Sequence, residues 1–355
     1  MRHFHQLRQP IGHLTKWFLS ATLLQFLCFG TLAARAGATY TVQALPIPAK
    51  AFSGQASAIN DAGVSAGWYQ TNNGWSAVSW SAASERTQLG TLPGLPSALA
   101  NDINQAGTIV GFALSADFLT SRAFIWRSDT GMQALTDLGG NASLAQAINT
   151  EGTAVGWAYD PAGVLHAVRW SASGSLTDLN PSGAISEALD VNDAGDVVGW
   201  VFPNGGLASH AYLWRHDGVE FDLQTLGGPG SQAFGVNNAL AIVGVSDRTS
   251  PRPPVAFIWK SATGMRSLGM GANSQAFAIS DLGRSVGLRV VDAGVIGLTR
   301  FHGSTEVLPD LAPDKGPASG PTGINRCGTI VGSSSSPIPT NGNPVPAIWT
   351  KAACD

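Results

Sequence analysis

The sequence predicts an all-β chain folded as a seven-bladed β-propeller, and three observations carry that prediction. First, one motif is written seven times, at Ile59-Asn60, Ile103-Asn104, Ile148-Asn149, Val191-Asn192, Val236-Asn237, Ile279-Ser280 and Ile324-Asn325, with steps of 43 to 45 residues. A glycine follows the second position by seven residues every time: Gly67, Gly111, Gly156, Gly199, Gly244, Gly287 and Gly332. Second, each unit of about 44 residues holds four short apolar runs bounded by Gly, Pro, Asn and Asp, which read as strands. Third, the ends complement each other. Residues 40–45 look like a fourth strand without its blade, and the chain stops after a third strand at 346–350. An N-terminal strand that completes the last blade closes the ring. An open β-solenoid is the alternative, but it gives no reason for complementary ends.

Residues 1–38 read as a signal peptide. Arg2, Arg8 and Lys16 form a basic start, an uncharged run covers 17–34, and Ala36-Gly37-Ala38 offers cleavage before Thr39. An uncleaved anchor is the competing reading of that run. Leu27 before Cys28 argues against a lipoprotein. The expected product is secreted, extracellular or periplasmic, without a membrane span after cleavage. Residues 39–355 then form a single propeller domain, long enough for a large core. The leader holds four of the 20 Lys and Arg and none of the 23 Asp and Glu, which leaves the mature chain at −7. No cationic cluster remains, so a nucleic-acid partner is excluded. Low charge beside 43 glycines fits a β-rich exported protein full of tight turns.

In the fourth unit the strands are predicted at 187–191 (a), 196–200 (b), 210–214 (c) and 219–223 (d). The a–b turn Asn192-Asp193-Ala194-Gly195 recurs in related form at Asn60, Asn104, Asn149 and Asn325. Asn can bond its own backbone, and Gly takes the positive φ that ends the turn. Unit five has Leu240 in the Gly place and unit six has Ser280 in the Asn place, so those two turns are expected to be distorted. Strand a carries Ala56, Ala100, Ala145, Ala188, Ala233 and Ala276, small side chains suited to crowding near an axis. Strand c ends on Trp80, Trp126, Trp170, Trp214, Trp259, Phe301 and Trp349, rings large enough to fill the wider outer gaps. The b–c connections vary most, while the d–a linkers keep a Leu-Gly flavour. Cys327 in the last a–b turn and Cys354 beyond the last strand c fall on one face. A disulfide between them is expected, worth about 3 kcal/mol by loop entropy.

The strand-c text Arg122-Ala123-Phe124-Ile125-Trp126, His166-Ala167-Val168-Arg169-Trp170, His210-Ala211-Tyr212-Leu213-Trp214 and Ala256-Phe257-Ile258-Trp259 comes with Leu-Gly-Thr-Leu and Ile-Asn-x-x-Gly elements. Together these resemble the bacterial extracellular HAF-repeat family over essentially the whole mature chain. The His survives only as His166 and His210, with Ser76, Arg122 and Val255 in its place elsewhere. The resemblance implies export and a repeated β architecture, and it brings no established activity.

The chain has no G-x-S-x-G elbow, no H-E-x-x-H pair and no phosphate loop. No cofactor and no metal site are expected. The acidic cluster Asp190, Asp193 and Asp196 lacks the spacing of a calcium loop. Asp102 and Asp190 stand just before the aliphatic-Asn pair, where other units have Ala or Gly. They are weak catalytic candidates for acid–base work on a glycan, with a wet channel wall as the plainer reading. His166 and His210 occupy equivalent places in adjacent units and are placed to approach one another. The leading expectation is a monomeric, non-enzymatic binding or scaffolding propeller that recognises glycan or protein through its variable loops. Tyr69, Trp75, Phe118 and Tyr159, with His166 and His210, are its candidate contacts. An extracellular polysaccharide hydrolase or lyase using the channel carboxylates is the alternative.

Overall fold

A computed structural model describes residues 40–180, 182–203, 206–335 and 343–351. The expected signal peptide and Cys354 lie outside these residues, and with Cys354 the expected disulfide. Twenty-eight strands build seven four-stranded antiparallel sheets. Blade four shows the plan: strand a is Ser186–Val191, b is Val197–Val201, c is His210–Trp214 and d is Glu220–Asp222. Blades one to six each use four consecutive strands. Blade seven uses Gly320–Ile324, Ile330–Ser334 and Val345–Lys351, and its fourth strand is Tyr40–Ala44 from the other end of the chain. The closing register runs from Tyr40 opposite Lys351 to Ala44 opposite Ala347. Tyr40 is 3% exposed, and its hydroxyl donates to the Gly328 carbonyl, so the seam is buried and bonded. The ring is closed as the chain ends predict.

The core is divided into seven slabs, one between each pair of neighbouring blades. Between blades three and four, for example, Ala147, Val155 and Ala167 meet Ala188, Val191, Val197 and Trp214. Six of the seven strand-c rings, all but Phe301, belong to these slabs. Trp80, Trp170 and Trp349 are fully buried, and each indole N–H donates to a carbonyl of the preceding linker: Pro46, Thr136 and Pro309. A buried indole needs such an acceptor.

The repeated Asn does two jobs. Its Oδ1 accepts the N–H four residues on, as Asn149 does from Thr153 at 2.8 Å, and this fixes the a–b turn. Its Nδ2 donates to the carbonyl of the equivalent residue one blade on. Asn60 reaches Asn104, Asn104 reaches Asn149, Asn149 reaches Asn192, Asn192 reaches Asn237, Asn237 reaches Ser280 and Asn325 reaches Asn60, at 3.0 to 3.4 Å. Six links of a seven-membered ring are made, each worth about 1 kcal/mol net. The break is at Ser280, whose hydroxyl accepts from Arg284 N–H at 3.2 Å but has no second polar atom to send onward.

The expected distortion of turns five and six does not occur. Leu240 N–H still donates to Asn237 at 3.0 Å and Gly283 N–H to Ser280 at 2.8 Å. Leu240 takes the glycine's left-handed conformation outright, at φ 55°. Turn geometry is imposed by the paired strands, and the local misfit is absorbed as backbone strain.

Candidate functional site

In every blade strand a carries a bulge just past the small residue, between Ala56 and Ala58, Ala100 and Asp102, Ala188 and Asp190, and their counterparts. The seven bulged residues are Ser57, Asn101, Gln146, Leu189, Phe234, Phe277 and Thr322, all half-buried. Neighbouring ones touch: Asn101 Nδ2 donates to Gln146 Oε1 at 2.9 Å, and the Phe234 and Phe277 rings lie 5.7 Å apart. Equivalent residues of adjacent blades meet only near the axis, so this ring lines the channel, polar on one side and apolar on the other. The sequence carried the signal, because the bulged position ranges from Ser to Phe while its neighbour is Ala, Gly or Asp and the aliphatic-Asn pair follows almost unchanged.

The next residue along is the Asp102 and Asp190 position. Asp102 accepts N–H bonds from Ile103 at 2.8 Å and from Ile148 of blade three at 2.7 Å. Asp190 accepts from Val191 and from Val236 of blade five, both at 2.8 Å. Each carboxyl therefore staples two blades. Burial pushes both up to about 7 against the two N–H donors that pull them down, and the nearby Asp190 charge raises Asp102 further.

At the a–b turn end the channel opens into a cavity of about 200 Å³ lined by Asp61, Gln105, Asp193, Asn238, Asp281 and Arg326. Several of these side chains are blade staples too. Gln105 Oε1 accepts from Asp61 N–H at 3.0 Å, Asn238 Oδ1 from Asp193 N–H at 2.8 Å, and Asp61 Oδ1 from Arg326 N–H at 2.8 Å. Among the described residues, no group of three or more His, Cys, Asp or Glu is placed to hold a metal ion.

The b–c end differs, because there the repeat breaks down. Trp75 of blade one packs edge-to-face on Phe118 of blade two, ring centroids 5.3 Å apart and 77° inclined. Phe118 and Leu119 are 50% and 53% exposed, and Phe118 holds φ 60° at the turn tip. Beneath them an eighth apolar cluster joins Leu99, Phe112, Leu144 and Trp157 across blades two and three, with Trp68, Trp75 and Tyr159 against it. The aromatic arc continues in blade four with Trp200 on Phe202, 5.5 Å apart. Blades five to seven place Val245, Leu288 and Ser333 where these blades have Trp or Phe, so the arc covers about half the rim.

Of the candidate contacts, Trp75, Phe118 and Tyr159 lie on this face. Tyr69 must be reassigned: it is 4% exposed, its hydroxyl accepts from Gln88 at 2.7 Å, and Arg86 covers its ring. It is a packing residue. His166 and His210 are each tied to the outer-strand carboxylate of their own blade. His166 Nδ1 lies 3.0 Å from Asp178 and His210 Nδ1 2.8 Å from Asp222. Arg122, in the same place in blade two, reaches instead to Asp137 in the linker just past strand d, 3.1 Å away. The strand-c His is thus one version of a clamp on the outer edge of its blade.

Sequence reasoning passed over Glu187. It pairs with Trp200 at the b–c end of strand a and is 9% exposed, in the register place that Leu99 and Leu144 fill in the two preceding blades. Burial pushes its carboxyl up to about 8, with weak help to the charged form from the Trp200 and Trp157 indoles. Its charge also adds to the burial that raises the Tyr159 phenol.

These three raised carboxyls set a sign for pH. The folded chain keeps their protons to about pH 7 or 8, whereas the unfolded chain releases them near 4. The stability from these groups is therefore full below about pH 4 and is lost as pH rises from there to about 7 or 8, by up to about 1.4 kcal/mol per unit per group. Calorimetry should find Tm several degrees lower at pH 8.5 than at pH 5.5. A flat or rising profile contradicts this assignment.

No protein-family model matches this chain, and no curated protein does. Solved structures do. Oligogalacturonate lyase from Vibrio parahaemolyticus superposes with a TM-score of 0.56 at 13% identity over 87% of this chain and 93% of that one. A streptogramin B lyase gives 0.54 at 10% identity, covering 88% and 98%. The BP39L lectin from Burkholderia pseudomallei gives 0.53 at 11% identity, covering 86% and 98%. At such identities the likeness establishes the propeller fold. The named activities include both lyases and a lectin, so fold alone does not choose between them.

Proposed function

We propose that this chain is an exported, non-enzymatic binding propeller that recognises a glycan or a protein surface through its b–c face. The observation that carries this reading is the division of labour between the two ends of the channel. At the a–b end and along the axis, most of the polar side chains named above are engaged in joining blades. At the b–c end, Phe118 is 50% exposed on its connection, and the partly exposed Trp75, Tyr159 and Phe202 stand in or beside connections that differ in every blade. Rigid scaffolds present binding residues on such loops. Aromatic faces suit sugar rings and apolar protein contacts alike, since both bury large area at small entropic cost. No helix among the described residues is long and apolar enough to cross a membrane, which is compatible with an exported chain. Membership of the HAF-repeat family is part of the same proposal and rests on the strand-c text.

The hydrolase or lyase reading keeps one observation in its favour: Asp102 and Asp190 interact and both stand near 7, in the range a general acid needs. Against it, each of the four carboxylate oxygens already accepts a backbone N–H. The test is a glycan array and an envelope-protein screen with the mature chain and with a Trp75→Ala/Phe118→Ala variant. The variant is expected to lose binding at least tenfold while keeping its Tm within a few degrees. Unchanged binding would remove the b–c face from the account.

A further inference from the structure

The half of the b–c rim without the aromatic arc has a chemistry of its own. From the last three residues of strand b through the connection, blades one to four and blade seven carry no Lys or Arg. Blades five and six carry Arg248, Arg252 and Arg289, in a chain where Asp and Glu outnumber Lys and Arg by 23 to 20. Among the described residues none of these three forms a salt bridge. Arg248 Nε donates to the Pro253 carbonyl at 2.9 Å, which ties the connection of blade five back onto its strand. Arg289 lies along the backbone of Gly271, where an added β-carbon would stand 2.9 Å from its Nη1. Its Nε is buried without an acceptor, so packing and not an ion pair holds the guanidinium. The positive charge is left unspent. Beside these arginines a groove of about 370 Å³ runs between blades five and six, lined by Pro254, Asn273, Ser274, Gln275 and Val290. Arg289 adjoins Val290 in sequence, and the exposed Arg252 stands two residues before Pro254. Two backbone bonds fix the walls: Asn273 N–H donates to the Pro254 carbonyl and Val290 N–H to the Asn273 carbonyl, both at 2.9 Å. A groove of this volume is in the range of small-ligand sites.

We propose that this groove is the subsite for the acidic group of an anionic glycan, a carboxylate or a sulfate. Arg289 and Arg252 supply guanidinium N–H groups, which can meet two oxygens of one oxyanion at once. Asn273 and Gln275 offer amides to sugar hydroxyls, while Pro254 and Val290 give the apolar face of the ring a surface. One saccharide chain across the b–c mouth then meets aromatic rings on one side and cations on the other. This subsite rests on the binding-propeller reading and narrows its ligand to an acidic glycan.

The experiment is titration calorimetry of the mature chain with trigalacturonate, a sulfated carrageenan tetrasaccharide, neutral maltotriose and the acidic peptide triglutamate. Wild type, Arg252→Gln, Arg289→Gln and Trp75→Ala/Phe118→Ala are compared, with Tm recorded for each. An acidic glycan is expected to bind about tenfold or more tighter than maltotriose, and to lose about tenfold in Arg289→Gln. Arg252→Gln, at an exposed position, should lose about threefold or more at unchanged Tm, which keeps the test decisive if Arg289→Gln unfolds. Whichever acid binds identifies the anion as carboxylate or sulfate. Equal affinity for maltotriose, preference for triglutamate, no binding of either acidic glycan, or full affinity in both arginine variants overturns the subsite. If neither acidic glycan binds but a neutral one does, and that binding is lost in Trp75→Ala/Phe118→Ala, the subsite is removed and the binding face stands. Acid binding lost in the arginine variants yet intact in Trp75→Ala/Phe118→Ala supports the subsite and removes the aromatic arc.

Discussion

Gly199→Ala should be among the most damaging single substitutions in the chain. Gly199 lies opposite Ala188, where strand b passes closest to strand a, and a β-carbon there would collide with the Glu187 carbonyl oxygen. The obstacle is backbone, so no side chain can turn away to relieve it. The same collision awaits a β-carbon at Gly67, Gly111, Gly156, Gly244 and Gly287, against the carbonyl of the equivalent strand-a residue. Close approach, not a positive φ, is therefore why the glycine recurs in every unit. A loss of about 3 to 5 kcal/mol is expected, near the top of the range for point mutations. The control is Gly174→Ala, at a surface turn with φ 87° and nothing within 4 Å of the added carbon. That change should cost about 1 kcal/mol. Denaturant unfolding of both variants decides the matter, and equal losses would contradict close packing as the cause.

Deleting residues 39–44 should have a still larger effect. The strand Tyr40–Ala44 is the outer edge of blade seven, bonded along Val345–Lys351. Without it Trp349, fully buried now, loses the cover of Tyr40 and Val42, and the edge of Val345–Lys351 is left unpaired. Blade seven also carries the Asn325 bond that returns the ring to Asn60. An open array with an exposed apolar blade and a free edge is prone to pair with other chains. Loss of a single cooperative thermal transition, with aggregation on gel filtration, is the expected outcome. A truncated protein that stays monomeric and melts within about 2 °C of the parent would show that closure contributes little.

Blade number, strand order and the inner position of the Ala-x-x-Ile-Asn text were legible because they are constraints written into nearly every unit, and closure because the two ends of the propeller complement each other. A repeat records what every blade must satisfy. Reach between blades was harder to read. The Asn relay was visible as a recurring letter, but one sequence does not reveal that its Nδ2 crosses to the next blade. The buried serines Ser143, Ser186, Ser231 and Ser274, whose hydroxyls accept the N–H of Ala123, Ala167, Ala211 and Ala256, recur on schedule and were missed. They explain the small residue in the strand-c text, because an alanine lets the next blade's serine approach. Leu240 was misjudged since a turn held between paired strands tolerates a residue that propensity disfavours. Tyr69 was misjudged because its place, one residue from Trp68 on strand b, faces the slab between blades seven and one and not the rim. Glu187 was hidden for the opposite reason: a lone Glu at a strand start looks like a solvent-facing end until the register sets it beside Leu99 and Leu144.

The central claim is that function lies at the end of the channel where the blades differ, not at the end where they agree. Hydrogen exchange with and without the glycan or protein returned by the binding screens tests it most directly. The account predicts slowed exchange on binding at the b–c connections, residues 71–74, 115–120 and 160–164, and none at the a–b turns. Protection concentrated at the a–b turns, residues 60–63, 192–195 and 325–328, would contradict it.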